Sequence, residues 1–235
     1  MPQHERDALK VLADSYQAFA EILTGIASSG KKEWALSIGY LLQRVRGGHF
    51  VKTLLDEIWR YREKGEIKDG YLSSEQSFSC LQELLDAVDK DSPDEVRISA
   101  MKAIFLTAAT ETMSSRNDPL PQQLMQICRS LSSTDILILS ASHKISSGEL
   151  VQAAKSRGTG GGTTQVWIEH VLKHTGLHFP EIVRLREGPL MEKRLLSPHI
   201  YPDGSGFALT NHFRPTELGF HLCNFIAAAD VDPNR

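Results

Sequence analysis

Apolar residues in the first half of the chain recur every three or four positions, the spacing that places them on one face of an α-helix. Three such stripes run over residues 9–26, 34–45 and 51–59, and each is followed by a segment that contains glycine. The first stripe is narrow, like the seam of a coiled coil. We therefore expect three helices in this part of the chain, joined by short links.

Two further helices are predicted from the residues that would cap their first turns. Serine at 73 or 74 begins one helix, with Gln76 placed to complete a capping box on Ser73. In the segment 92–95, serine caps, proline takes the first helical position and glutamate reaches back to the cap. The residues expected to face the core are Phe78, Leu81, Leu85 and Val88 in the first of these helices, and Ile98, Met101, Phe105 and Ala108 in the second.

The proline-rich segment 117–121 separates these five helices from the rest of the chain. Five helices with short links predict an all-helical bundle over residues 1–132. Oligomerisation is its expected role. A second domain is expected over residues 133–235.

The second domain begins with helical patterns separated by glycine-containing segments. One helix is predicted from Thr134-Asp135, and a capping box at 146–149 predicts another. A glycine-rich loop at 158–162 precedes a helix that carries Trp167, Ile168, Val171 and Leu172. Gly176 is expected to end that helix, and a tight turn leads to a further helix from Glu181. A helix, a short turn and a second helix make up a helix-turn-helix.

The residues that follow carry a resemblance to a known class of protein. A leucine-rich helix end at 190–196 leads to a strong hairpin turn at 202–206, a strand at 207–213, and Thr216-Glu217-Leu218-Gly219-Phe220-His221-Leu222. This order resembles bacterial winged helix-turn-helix proteins, including regulators of the MarR type, over about residues 133–228. The resemblance implies a mainly α protein whose C-terminal domain is a winged-helix-like (α+β) fold with a two-stranded wing.

Two features depart from that family pattern. The segment 146–162 is longer than the usual link between the first two helices, and Gly188-Pro189 falls inside the expected recognition helix, where proline breaks or kinks a helix. An alternative register therefore makes 163–175 the recognition helix and turns part of 181–201 into strand. The choice between the two registers stays open at this stage.

The charge balance permits nucleic-acid binding without indicating it. The whole chain has a net charge of −3. Residues 1–132 contain 16 Lys and Arg against 19 Asp and Glu, whereas residues 133–235 contain 10 against 10 and seven of the nine histidines. In the first register, the resemblance implies nucleic-acid contacts from the recognition helix and the wing: Arg184, Arg186, Lys193, Arg194, His199, His212 and Arg214. Glu181, Glu187 and Glu192 oppose these charges.

Signals for catalysis, metals or cofactors are weak. His170 and His174 have the i, i+4 spacing of metal ligands, but no glutamate follows His170 as in His-Glu-x-x-His. The three cysteines lie far apart in the sequence, and we expect them to be buried apolar residues. A catalytic thiol would need a nearby base, and His221 is the one basic group near Cys223. We expect no cofactor, no metal site and no catalytic residue.

We therefore expect a non-enzymatic, cytoplasmic bacterial protein that binds DNA as a regulator. The alternative is a protein–protein interaction adaptor or homodimer that uses either domain as a docking surface. A continuous positive face around Arg184, Arg186, Lys193 and Arg194 would favour DNA, and a mixed face would favour protein. No apolar segment approaches the length of a membrane span, and the expected partners do not include a membrane.

Overall fold

A computed structural model describes residues 48–68, 70–91, 94–110, 120–147, 163–198, 200–203, 206–209 and 214–228. The predicted apolar stripes at 9–26 and 34–45 lie outside these residues, as does the glycine-rich loop at 158–162. The chain divides into two compact units, one that ends at Ser130 and a second that spans Leu131–Ala228.

The described part of the first unit contains four α-helices and a short 3₁₀ turn. The helices are α1 (Gly48–Glu63), α2 (Glu75–Lys90), α3 (Glu95–Thr110) and α4 (Leu120–Arg129), and Tyr71–Ser73 forms the 3₁₀ turn. The predicted third helix corresponds to α1, which buries Leu54 and Ile58 and ends before Gly65. Gly65 has a φ of 70°, a left-handed conformation that favours glycine after a helix end.

Side chains cap the first turns of α2 and α3. Helix α2 begins after Ser74, one of the two predicted starts, and the side chain of Ser74 accepts the backbone N–H of Ser77 at 3.1 Å. At the start of α3, the carboxylate of Asp94 accepts the backbone N–H of Arg97 at 2.9 Å. Both caps satisfy a donor that the first helical turn leaves without a partner. The predicted cap at Ser92 lies outside the described residues.

Helix α3 is buried on nearly all sides. Every residue from 100 to 109 except Lys102 is buried, including the predicted core residues Met101, Phe105 and Ala108. Such a helix belongs at the centre of its unit, because a helix at the surface keeps one polar face. The Nζ of Lys102 lies 2.9 Å from Oε1 of Glu57 in α1. This ion pair joins α3 to α1.

The second unit contains α5 (Ser133–Ser146), α6 (Thr163–Thr175), α7 (Pro180–Glu192) and α8 (Glu217–Ala228). Helix α5 begins at a capping box in which Ser132 and Asp135 each bind the other's backbone N–H. The serines at 146 and 147 end α5, and the helix predicted after the capping box at 146–149 lies outside the described residues. Helix α6 buries Trp167, Ile168 and Val171, as predicted.

The fold class predicted for the second half is wrong. We expected an α+β domain with a two-stranded wing, but in the described residues eight α-helices and their connecting segments carry the buried side chains. The backbones of Ile200–Asp203 (β1) and Gly206–Leu209 (β2) pair antiparallel with each other alone among the described segments. Two strands of four residues do not form a stable layer. They are a short hairpin between helices and not a wing, and the described chain is helical.

The break predicted at Gly188-Pro189 does not occur, because α7 continues through Pro189 to Glu192. The ring of a proline normally clashes with the β-carbon of the preceding residue in helical conformation. Gly188 has no β-carbon, so this contact is absent. Proline also supplies no N–H, which leaves the carbonyl of Leu185 without its helical donor. The alternative register turned part of 181–201 into strand. Residues 180–192 are helical, and the strand in the described part of that range is confined to Ile200 and Tyr201 of β1.

Helix α8 is held against the segment after α7 by Thr216 and Gly219. The hydroxyl of Thr216 donates to the carbonyl of Arg194 at 2.5 Å and accepts the backbone N–H of Gly219 at 3.1 Å. A β-carbon at position 219 would lie 2.2 Å from the carbonyl oxygen of Leu195. The Thr-x-x-Gly spacing therefore has a local structural cause: threonine caps α8, and glycine lets two backbones meet.

Candidate interaction surface

Helix α7 has a buried face and an exposed face. A four-residue turn that starts at Gly176, with a φ of 69°, separates it from α6. Pro180 occupies the first turn of the helix, where its missing N–H causes no loss. Val183, Glu187 and Leu190 are buried, and α7 packs against α5 and α6.

Large apolar side chains lie on the exposed face and at its N-terminal end. Leu185 is 72% exposed and Phe179, at the N-cap, is 62% exposed. Ile182 and Pro189 are half-buried, and their spacing from Leu185 places all three on one side of the helix. We call Phe179, Ile182, Leu185 and Pro189 the α7 outer stripe. In the described part of the chain, two large apolar side chains are exposed, Phe179 and Leu185, and both belong to this stripe.

Glutamates border the α7 outer stripe. Glu181 and Glu192 are exposed, and their positions on the helix fall on the same side as Leu185. Gly188 is half-buried and lies one turn beyond Leu185; apart from its chain neighbours and its own helix backbone, a β-carbon there would have nothing within 4 Å. The face therefore presents a protruding leucine beside an open position, bordered by carboxylates.

Arg186, a predicted nucleic-acid contact, is bound within the second unit. Its guanidinium donates to the Asp135 carboxylate, with Nε 2.8 Å from Oδ1 and Nη2 in a second short contact with Oδ2. Nη2 also lies 3.2 Å from the Ser132 hydroxyl. Burial alone would raise the pKa of Asp135, but the hydrogen bonds from Arg186 and Ser132 outweigh it, and the pKa lies below its ordinary value. Arg186 thus joins α7 to the capped end of α5.

Arg214, another predicted contact, is fully buried. Its guanidinium lies 4.3 Å from the centre of the Trp167 ring and forms an ion pair with Glu187 at 2.5 Å. Nε and Nη2 donate to the backbone carbonyl of Ser197 at 3.1 and 2.7 Å. Burial lowers the pKa of Arg214 and Glu187 acts in the opposite direction, but an arginine stays charged in either case. This side chain connects α6, α7 and the segment after α7, and it has no surface from which to reach a nucleic acid.

The other predicted contacts are exposed or outside the described residues. Arg184, Lys193 and Arg194 are exposed, and Arg194 follows α7 with a φ of 58°. His199 and His212 lie outside the described residues. The exposed charged residues described in the second unit are five cations and four anions: Lys144, Lys173, Arg184, Lys193 and Arg194, against Glu169, Glu181, Glu192 and Glu217. The described surface around the predicted contacts is mixed in sign.

The cysteines are not placed as activated thiols. Cys223 is buried and His221 is exposed, and side chains two positions apart in a helix do not face each other. Burial raises the pKa of Cys80 and of Cys128 to about 12, so both stay thiols at neutral pH. Among the residues that the structure describes, no group of three or more metal-ligating side chains comes together.

The exposure of Phe179 and Leu185 was not predicted from the sequence. The helix-turn-helix pattern places Phe179 in the turn and Leu185 in the second helix, but it does not indicate which side of the helix they occupy. Val183 and Leu190 repeat at the spacing of two helical turns and define the buried face of α7. Leu185 falls off that line, and this signal was present in the sequence.

Comparison with known proteins does not extend these observations, because no family model, no curated protein and no solved structure matches the chain. In the described part of the chain, no helix has both the length and the apolar character to cross a membrane. The resemblance to winged-helix regulators consequently rests on the order of sequence motifs alone.

Proposed function

We propose that this chain is a non-enzymatic protein-interaction adaptor and that a protein binds to the α7 outer stripe. The observation that carries the proposal is the 72% exposure of Leu185 on a helix whose opposite face is fully packed. Covering a leucine side chain is worth roughly 1.5–3 kcal/mol. An adjacent exposed phenylalanine enlarges the apolar area available to a partner.

The charges around α7 favour protein over nucleic acid as the partner. Binding to a phosphate backbone requires several cations that neutralise phosphates together. Arg186 and Arg214 are bound to Asp135 and Glu187 inside the unit. The exposed cations near α7 share their surface with Glu181 and Glu192. Protein interfaces accept such a mixture, with apolar anchors at the centre and charges at the rim.

A quantitative pull-down from the source organism tests this proposal. The bait is the full chain as wild type, as Leu185→Asp, and as His221→Asp, which places the same new charge on an exposed position of α8. Each lysate is treated with nuclease, so that proteins held only through nucleic acid are released. We expect a specific protein, a tagged second copy included, to bind the wild type and His221→Asp but to be reduced at least about tenfold by Leu185→Asp.

Equal retention of every bound protein by the three baits would overturn the proposal. So would binding that depends on nucleic acid, that is, on omission of the nuclease. Because Leu185 is mostly exposed, the aspartate variant is expected to keep its fold, and circular dichroism of the purified baits verifies this.

A further inference from the structure

The α7 outer stripe combines a protruding side chain with an adjacent open position, which is the arrangement that a two-fold symmetric contact requires. In such a contact, residue i of one copy meets residue j of the other, and j meets i. Leu185 and Gly188 are one turn apart, and a β-carbon at 188 would have no atom within 4 Å apart from those of its chain neighbours and its own helix backbone. If two α7 helices pack antiparallel, Leu185 of each copy can lie over Gly188 of the other.

The charges at the two ends of α7 distinguish antiparallel from parallel packing. Glu181 lies at the N-terminal end, and Glu192, Lys193 and Arg194 lie at the C-terminal end. Antiparallel packing places Glu181 of one copy beside the C-terminal group of the other, so each end of the contact holds two carboxylates and two cations. Parallel packing places like groups together, with two carboxylates at one end and an excess of cations at the other. It also places the exposed Arg184 side chains of the two copies at the same level, whereas antiparallel packing separates them along the helix axis. The helix dipoles also favour antiparallel packing, because the partially positive N-terminus of each helix then lies beside the partially negative C-terminus of the other.

We infer that the protein bound to the α7 outer stripe is a second copy of this chain, in an antiparallel α7–α7 contact about a two-fold axis. This inference rests on the proposed function and names its partner. One helix pair buries less area than a standard protein–protein interface. The dimer is therefore weak and reversible, and its population depends on protein concentration.

Sedimentation velocity of the purified full chain, from micromolar to several hundred micromolar, tests the inference. The wild type and His221→Asp are expected to shift from monomer to dimer over this range. Leu185→Asp is expected to raise the dissociation constant at least about thirtyfold. Thermal unfolding of each variant establishes that the monomer remains folded.

A charge exchange tests the antiparallel arrangement itself. Glu181→Lys alone and Arg194→Glu alone each leave the two ends of the contact with a net charge, and each is expected to weaken the dimer several-fold. Combining Glu181→Lys with Arg194→Glu restores opposite charges across the contact and is expected to return the dissociation constant close to the wild-type value. Failure of the combined variant to recover would overturn the antiparallel contact.

A wild type that stays monomeric throughout, or a dimer that Leu185→Asp leaves intact, would overturn the second-copy inference. If the protein is monomeric and the pull-down still shows a different protein lost with Leu185→Asp, the proposed function stands and this inference falls. If neither self-association nor any bound protein depends on Leu185, both fall.

Discussion

The guanidinium of Arg214 stacks over the ring of Trp167, 4.3 Å from its centre, and both side chains are fully buried. The carboxylate of Glu187 lies 2.5 Å from the guanidinium and neutralises its charge. Removing one partner of a buried ion pair leaves an uncompensated charge, which costs far more than the net contribution of the intact pair. The position of Arg214 therefore leads to a prediction about stability.

Arg214→Met is expected to lower the free energy of unfolding by about 3 kcal/mol, because it leaves the carboxylate of Glu187 buried without its cation. Adding Glu187→Gln removes that charge and is expected to recover part of the loss. Urea denaturation measures both values. Lys173→Met, at an exposed position of α6, is the control and is expected to change stability by less than about 0.5 kcal/mol. An Arg214→Met variant as stable as this control would contradict the prediction.

The contact between Asp135 and Arg186 predicts a dependence of stability on pH. The pKa of Asp135 is lowered in the folded state, so the folded protein binds fewer protons there than the unfolded chain does. The stabilisation is fully present above the unfolded pKa of about 3.9 and is lost as the pH falls through the folded pKa. We expect the stability difference between wild type and Asp135→Asn to shrink as the pH is lowered from 6 to 3. Denaturation at several pH values measures it, and a difference that grows on acidification would contradict this account.

Gly219 and the carbonyl of Leu195 predict the effect of one added methyl group. Gly219→Ala would bring a β-carbon to 2.2 Å from that oxygen, and the backbones must separate to accept it. We expect a loss of about 2 kcal/mol in the free energy of unfolding. His221→Ala, at an exposed position of the same helix, is the control and is expected to change stability by less than about 0.5 kcal/mol. If the two variants change stability equally, the close approach of α8 to Leu195 does not govern the result.

Burial of the cysteines predicts slow reaction with alkylating agents in the folded protein. Cys80, Cys128 and Cys223 are all buried, and the raised pKa of the first two keeps them protonated at neutral pH. We expect iodoacetamide at pH 8 to label none of the three at a rate near that of the urea-unfolded chain, as measured by mass spectrometry. Labelling of Cys80 or Cys128 in the native state as fast as in urea would contradict their placement.

Local features of the fold follow from the sequence, because their causes lie within a few residues. Helix α6 and its end at Gly176 were predicted from an apolar stripe and a glycine. The ion pairs of Arg186 and Arg214 were not predictable in this way. Arg186 binds a carboxylate 51 positions earlier in the chain, and Arg214, which precedes α8, stacks on a tryptophan of α6. The sequence pattern predicts a nucleic-acid contact for an arginine near an expected recognition helix. The carboxylate that binds this arginine within the fold becomes known only from the structure.

The errors in fold class and helix continuity have separate physical causes. A turn motif at 202–206 predicts a hairpin, and a hairpin does form there, but two four-residue strands do not make a β-layer. Proline predicts a helix break, but its effect depends on the preceding residue, and Gly188 removes the clash. Both motifs are present in the sequence, but each one determines less of the fold than its pattern indicates.

Site-specific photo-cross-linking tests the central claim most directly. A benzophenone amino acid is placed at position 185 in the full chain in its source organism, with the same amino acid at position 221 as the control. Mass spectrometry then identifies what is attached. We predict that position 185 forms peptide adducts with a second copy of this chain. Their yield is expected to exceed the yield at position 221 at least about tenfold, as for a specific interface. Nucleotide adducts at 185, or equal labelling at 185 and 221, would contradict the claim that the outer face of α7 binds protein.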